Sequence, residues 1–313
     1  MLSKTIFLIS EIVLMSIVVL SFYFATSIHV PRQLKIEKGN IRSIIANLGR
    51  KEHIGFTFLD LYALRVMGLP QAGWIDLGKE QLTRADFLYR LTKAKAALFD
   101  VTIVPGETTY LFLKNVSKSY NYPFKEMLEY YKNIAPYPEG VFYAQTYALP
   151  KGIDYKKFIE ILLQKSLHNH RNLAAKLQGR FNQKLWFERV ITIASIIQKE
   201  AATKDEMPLI ASVIYNRLKK GMPLQMDGTL NYGKYSHQKI TPQRIREDRS
   251  AFNTYKFKGL PPYPVCIVSK DAIIAAIKPA KTNYLYFVRG ASGKHIFSSS
   301  YKNHLKNIKN VQK

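Results

Sequence analysis

Glu200 is the residue around which chemistry can be built. It ends the run Leu185 to Glu200 (LWFERVITIASIIQKE), where apolar residues at 186, 190, 193, 194 and 197 recur at the spacing of a buried helical stripe. Glu200 continues that stripe, three residues after Ile197 and seven after Ile193, whereas Gln198 and Lys199 point elsewhere. A carboxyl group on an apolar face loses hydration, which disfavours its ionised form and raises its pKa. It would arrive protonated at neutral pH. That is the state needed to protonate a departing oxygen as a glycosidic bond breaks and the sugar gains oxocarbenium character. The same spacing fits a helix-end Glu paired with a Lys or Arg, and the pattern alone leaves both readings open.

The elements around Glu200 follow from local signals. Thr203-Lys204-Asp205-Glu206 fits the Thr-x-x-Glu capping box and places the start of a second helix there, which gives Glu206 a structural task. Met207, Ile210, Ala211, Ile214 and Leu218 would form that helix's inner face. Lys219 and Lys220 suit its C-terminal dipole, and Gly221 suits a left-handed stop. Asn216 and Arg217 lie on this helix, Arg217 either bracing a carboxylate or facing solvent. Gln225 and Asp227 alternate across a short extended segment and would offer polar groups to sugar hydroxyls, with Thr229 and Tyr232 beyond them; service within turns is the other reading. Asn253 and Tyr255 would line a cleft by hydrogen bonding and ring stacking. Asp227 is the nearest candidate for a second carboxylate.

The bulk composition narrows the setting. Forty-seven Lys and Arg against 22 Asp and Glu give a net charge of +25, so the surface attracts polyanions. The basic residues are spread along the chain without blocks or interleaved stacking aromatics, which argues against a nucleic-acid partner. One cysteine, Cys266, excludes a disulfide scaffold and a thiolate cluster. The seven histidines lack ligand spacing, and His168, His170 and His295 read as surface or loop residues; no metal and no cofactor is expected. Thr5 to Ile28 is apolar over the ~20 residues that cross a ~30 Å hydrocarbon core. It reads as a retained single-pass anchor with residues 1–4 cytoplasmic, and Glu11 within it as a tolerated acid near the interface. Residues 30–115 alternate short strand-like and amphipathic helical runs, a small α/β module. Helical sequence follows at Pro123 to Ile134 and Tyr155 to Leu167.

Several ordered motifs resemble one family. Ala194-Ser195-Ile196-Ile197-Gln198-Lys199-Glu200-Ala201 resembles the ASIIEKEA-type signature of YceG-like endolytic murein transglycosylases. Val213-Ile214-Tyr215-Asn216-Arg217-Leu218 and Gly221-Met222-Pro223-Leu224-Gln225-Met226-Asp227-Gly228-Thr229 resemble its VxxNRL and GMxLQxDxT stretches. Phe252-Asn253-Thr254-Tyr255 with Gly259-Leu260-Pro261-Pro262 resembles its YNTY and GLPP loop. The stretch from Pro279 to Val288 with His295-Ile296-Phe297-Ser298 is similar to its terminal pair. Upstream, Ala72-Gly73-Trp74 resembles a turn of the family's LysM-like module, and Glu139-Gly140 with Thr146-Tyr147 its EG...DTY segment. Tyr147 joins the substrate-binding candidates on that likeness. Gln145 stands where the family usually has Asp, Gln198 replaces the first acid of EKE, and Cys266 to Ser269 departs from an Asn-Pro-Gly stretch.

The resemblance implies an α+β fold: an anchor helix over residues 5–28, a LysM-like module over 30–115 and a helical, short-stranded catalytic domain over 120–313. It implies non-hydrolytic cleavage of MurNAc-GlcNAc bonds in nascent peptidoglycan, leaving 1,6-anhydro-MurNAc ends, with Glu200 as acid and base. The alternatives are a hydrolytic muramidase on the same residues and a non-catalytic wall-binding scaffold. The expected setting is the cytoplasmic membrane, the catalytic domain outside the cytoplasm. Glycan strands, the bilayer and peptidoglycan synthases are the expected partners.

Overall fold

The computed structural model describes residues 2–311, as two compact units. The first comprises residues 1–100 and 148–153, the second residues 101–147 and 154–313.

The first unit begins with α1 (Leu2–Ala25), a helix long and apolar enough to cross a membrane and bearing its large apolar side chains from Ile6 to Phe22 exposed. It stops at Ala25, short of Ile28, because Ser27–His29 forms β1 and pairs antiparallel with β4 (Gln81–Thr83). β2 (Gln33–Ile36) pairs with β3 (Gly73–Asp76), Leu34 opposite Ile75. Between them run α2 (Ile41–Glu52), capped by Asn40, and α3 (Phe58–Met67), which opens on a Thr57/Asp60 capping box. α4 (Arg84–Lys93) follows, capped by Thr83. Leu34, Ile44, Leu64, Ile75, Leu82, Phe87 and Leu91 close the core, each fully buried side chain stabilising by roughly 2 kcal/mol. Phe24 and Ile28 pack against that core. Asp60 is fully buried and accepts from Arg84 Nη1 at 2.8 Å and from Tyr23 Oη at 2.7 Å, which ties the end of α1 to α3 and α4.

The chain leaves this unit in β5 (Leu98–Thr102) and returns briefly in β6 (Thr146–Pro150), with α5 (Thr109–Tyr120) and α6 (Phe124–Ile134) between. α7 (Tyr155–Gln178) starts on an Asp154 cap and ends on left-handed Gly179. It runs well past Leu167 because Leu173 and Ala174 extend its buried face. His170 belongs to that face: it is fully buried, accepts a 3.1 Å bond from Trp186 Nε1, and burial pushes its pKa down to about 3. It is a core histidine rather than a surface one. α8 (Gln183–Leu185) is short and passes into a π-helical stretch, Trp186–Ile191, before α9 (Thr192–Glu200).

The π stretch changes the expected picture of Leu185 to Glu200. Widening the turn rotates the side chains, and every residue from Val190 to Ile197 is buried, so α9 is enclosed all round instead of showing a single stripe. Its hydroxyls are consumed internally, Thr192 bonding Phe187 O and Ser195 bonding Thr192 O. α10 (Met207–Lys219) and α12 (Lys270–Ile277) pack on it; α11 (Pro242–Glu247) lies between them in sequence.

The expected capping box at Thr203 does not form. Thr203 makes no side-chain cap, and Lys204–Glu206 is a 3-10 turn ahead of α10. Glu206 is buried and bonds the backbone and ring of His295 at 2.7 and 2.8 Å, its pKa held low by that partner against burial. His295 therefore is a hydrogen-bond partner on a strand, not a surface residue; a long-range partner outcompetes the local cap. Gly221 does end α10 in the left-handed region. β7 (Tyr286–Arg289) and β8 (His295–Ser298) form a hairpin, followed by α13 (Tyr301–Val311). The fold is mixed α+β, mostly helical, with short two-stranded sheets.

Candidate active site

Glu200 is the last residue of α9, and the segment beside it is anchored from both sides. Ser195 Oγ accepts from Val265 N at 3.0 Å, and Gln198 Oε1 accepts from Ser269 N at 3.1 Å, so Gln198 holds the start of α12 to α9. Opposite the end of α9 lies a 3-10 turn, Asp227–Leu230. The segment before it is not extended: Gln225 is left-handed at φ 50°, with its N–H bonded to Thr254 O, and Met226 N–H bonds Thr254 Oγ1. These bonds bend the chain so that Gly228 meets Glu200. Gly228 N donates to Glu200 Oε1 at 2.7 Å. A Cβ on Gly228 would lie 2.5 Å from Lys199 Cβ and 2.9 Å from Glu200 Oε1, so only glycine fits.

Glu200 is half-buried and lines a cleft of about 360 Å³. Its carboxyl end is crowded by protein atoms. That desolvation, reinforced by the charge of Asp227, pushes its pKa up to about 7 against the opposing pull of Gly228 N–H and Arg217. Asp227 Oδ1 accepts from Tyr255 Oη at 2.7 Å, and burial together with that carboxylate drives the Tyr255 phenol well above its ordinary value. Both side chains line the cleft, as do Gln225 and Arg217.

Arg217 resolves its two readings by bracing backbone instead of a carboxylate. Only 7% exposed, it donates from Nε to Leu285 O at 2.6 Å and from Nη1 to Leu224 O at 2.6 Å. The fork thus joins the end of α10 to β7 and to the Gln225 segment. A lysine cannot serve these divergent carbonyls from one point charge. Arg217→Lys is expected to lower unfolding free energy by about 2–3 kcal/mol, read by urea denaturation followed by circular dichroism, with an unchanged midpoint as the contrary result.

The remaining candidates sit away from this cleft. Asn216 Nδ2 holds Thr282 O and Tyr284 O, each at 2.9 Å. Buried Asn253 bonds Ile245 O and Asp248 O and accepts from Tyr255 N, which sets the Tyr255 loop. Thr229 is buried with its hydroxyl on Met226 O. Tyr147 is a core residue whose phenol donates to Tyr143 O, and Tyr232 stacks on Phe252 in a different cavity.

Unforeseen from the sequence are four C-terminal residues that complete the cleft: Tyr286, Phe287, Tyr301 and His304. Tyr286 stacks on His304 at 5.2 Å and 21°. Burial and Arg217 lower the His304 pKa, so this wall is uncharged at neutral pH. The i, i+3 spacing of Tyr301 and His304 on an amphipathic terminal helix was the available signal. Among the described residues, no cluster of three or more His, Cys, Asp or Glu could hold a metal ion.

The site thus defines a helix-rich α+β protein with a desolvated carboxyl group, Glu200, on the wall of an aromatic-lined cleft. Comparison with known proteins identifies the family. The chain belongs to the YceG-like family, which residues 34–310 match. It is 34% identical over 176 residues to a protein of Bacillus subtilis (strain 168) named endolytic murein transglycosylase. It is 31% identical over 176 residues to one of the same name from Streptococcus pneumoniae serotype 2 (strain D39). These alignments take in 56% and 54% of this chain but 48% and 31% of the relatives, so the chain spans about half or less of their length. A crystal structure of a yceG-like protein of Listeria monocytogenes superposes with TM-score 0.56 at 25% identity, over 90% of this chain and 99% of that one.

Proposed function

We propose that this protein is an endolytic lytic transglycosylase, a lyase of cell-wall biogenesis that cuts MurNAc-GlcNAc bonds in nascent peptidoglycan and leaves 1,6-anhydro-MurNAc ends. The observation that carries the proposal is Glu200, whose carboxyl group is desolvated on the wall of an open cleft and stays largely protonated up to about pH 7. The names of the Bacillus and Streptococcus relatives support the same activity.

Gly228 N–H occupies Oε1, which leaves Oε2 to carry the proton. That proton goes to the glycosidic oxygen as the C1–O bond breaks and its electron pair leaves with the oxygen. The resulting carboxylate then takes the proton of the sugar's C6 hydroxyl while O6 closes on C1, and Glu200 is again protonated. The transient negative charge strengthens the Gly228 bond when it is needed. Asp227 shares the cleft, and this one observation sustains hydrolysis as a second reading, with water in place of the C6 hydroxyl.

The two readings differ in their products. Mass spectrometry of digested strands is expected to find anhydro ends; reducing MurNAc ends would replace the first reading by the second. The starting state is the protonated acid, so the rate should be level at acidic pH and fall towards tenfold per unit above about pH 7. A rate that rises through that range would remove Glu200 from the acid role.

The setting is read from α1: we place it as a single-pass anchor in the cytoplasmic membrane, with residues 1–4 cytoplasmic and the chain after the anchor outside the cytoplasm, near peptidoglycan synthases. Phe24 packing on the core and Tyr23 bonded to Asp60 support a helix that is kept, since cleavage near Ala25 would sever them. The LysM-like module would span residues 30–115, with the β2–β3 pair, α2 and α3 inside it.

A further inference from the structure

A separate cavity of about 240 Å³ opens on the second unit. It is lined by the rings of Tyr110, Tyr232 and Tyr263, by Glu139, and by Lys132 and Lys234. Each ring is held by another: Tyr232 stacks on Phe252 at 4.3 Å, Tyr263 meets Phe252 edge-on at 4.8 Å, and Tyr110 meets Phe124 edge-on at 5.2 Å. The site is therefore formed before any ligand arrives, and binding need not order its walls.

Glu139, only 5% exposed, is fixed with equal care. Its Oε1 accepts from Thr109 Oγ1 at 2.7 Å and Gly140 N at 2.9 Å, and its Oε2 from Thr109 N at 2.8 Å. A carboxyl group offers about four lone-pair positions, so one on Oε2 remains; burial pushes the pKa of Glu139 up to about 7 against these hydrogen bonds, so that position accepts from a hydroxyl when ionised and donates to one when protonated. Gly140 lies so close to Pro264 that a Cβ would fall 2.7 Å from the proline ring, which seals the cavity wall.

We propose that this cavity is a second saccharide subsite, gripping a sugar ring of the strand remote from the bond that Glu200 breaks. Phenol faces match the C–H faces of a pyranose, and the spare Oε2 position matches a sugar hydroxyl. Lys132 and Lys234 disfavour a cationic occupant and suit the carboxylates that a wall strand carries. The volume fits one ring rather than the ~300–1,000 Å³ of larger ligand sites. Two links join cavity and cleft. Asp227 at the cleft and Tyr232 at the cavity are five residues apart, and Lys199, whose charge acts on Glu139, adjoins Glu200. A strand held in both places is cut at a set distance from the gripped ring, so the cavity sets product length. This inference rests on the proposed glycan substrate.

The test uses the full chain in detergent micelles, carrying Glu200→Gln so that ligands survive. GlcNAc oligomers of increasing length are added and hydrogen–deuterium exchange is followed. Longer oligomers should protect both the cleft segment 225–229 and the cavity segments 108–112 and 232–234. Protection confined to the cleft at every length would overturn the proposal. Tyr110→Ala should weaken the long oligomer by about 5- to 10-fold and, in the otherwise unaltered chain, shift the lengths of cut strands. Unchanged affinity and unchanged lengths would count against it. Failure of the proposed activity would look different: no cut strands from the unaltered chain, with protection at the cavity still present.

Discussion

Glu200→Gln should cut glycan strands about 10²- to 10⁴-fold more slowly than the unaltered chain while unfolding no more easily. Gln keeps an Oε1 to accept from Gly228 N, so the geometry survives and only the transferable proton is lost. The direction of the stability change provides the control. Burial raises the folded pKa of Glu200 from 4.5 to about 7, so between those values the folded chain binds more protons than the unfolded one. Stability from this group is then fully present below the unfolded value and declines as pH rises through about 7. Gln carries no such penalty. The variant should match the parent at pH 4.5 and exceed it at pH 8 by up to about 3 kcal/mol. Thermal or urea unfolding at the two pH values checks this beside anhydro-end counts. Retained cleavage by a folded variant would end the case for Glu200 as the acid, and no cleavage by the unaltered chain would favour the scaffold reading.

Gly228→Ala is expected to be nearly as damaging, though the change adds one methyl group. The new Cβ would press on Lys199 Cβ, an atom fixed to the backbone of α9, and on Glu200 Oε1 itself. Either the 3-10 turn or the end of α9 must move by about 1 Å, a displacement that can cost ~10²-fold when it falls on a catalytic group. Stability should drop by about 1–3 kcal/mol from the overpacking. Gly55 provides the comparison, because a Cβ there meets nothing within 4 Å and its backbone needs no special conformation. Gly55→Ala should behave as the parent. Steady-state cleavage assays separate the outcomes: a fall in kcat with KM little changed supports positioning, and parental kinetics in Gly228→Ala would dismiss it.

Much of the site was legible because it is local. The place of Glu200 at a helix end was legible in the apolar run that stops there, although that run is buried all round and not on one stripe, and Gly221 in the end of the next helix. Gln225, Asp227 and Tyr255 share the cleft, but the bend that joins them depends on Thr254, 25 to 29 residues from the turn it holds. Polar side-chain type does not reveal whether a group meets ligand or carbonyls. Arg217, Asn216, Asn253 and Thr229 spend their hydrogen bonds on backbone or neighbouring hydroxyls, a burden imposed by burial that no spacing rule reports.

The sequence by itself determined the long apolar N-terminal helix, the mixed helical and short-stranded class and the family, since each is written in composition or in motifs a few residues long. Tertiary structure alone decided that Glu206 pairs with His295 instead of capping, that His170 is core, that the last hairpin and helix wall the cleft, and that Gly228 must stay bare. These depend on contacts between residues up to about ninety positions apart, where the entropy of closing the chain is repaid only by the whole fold at once.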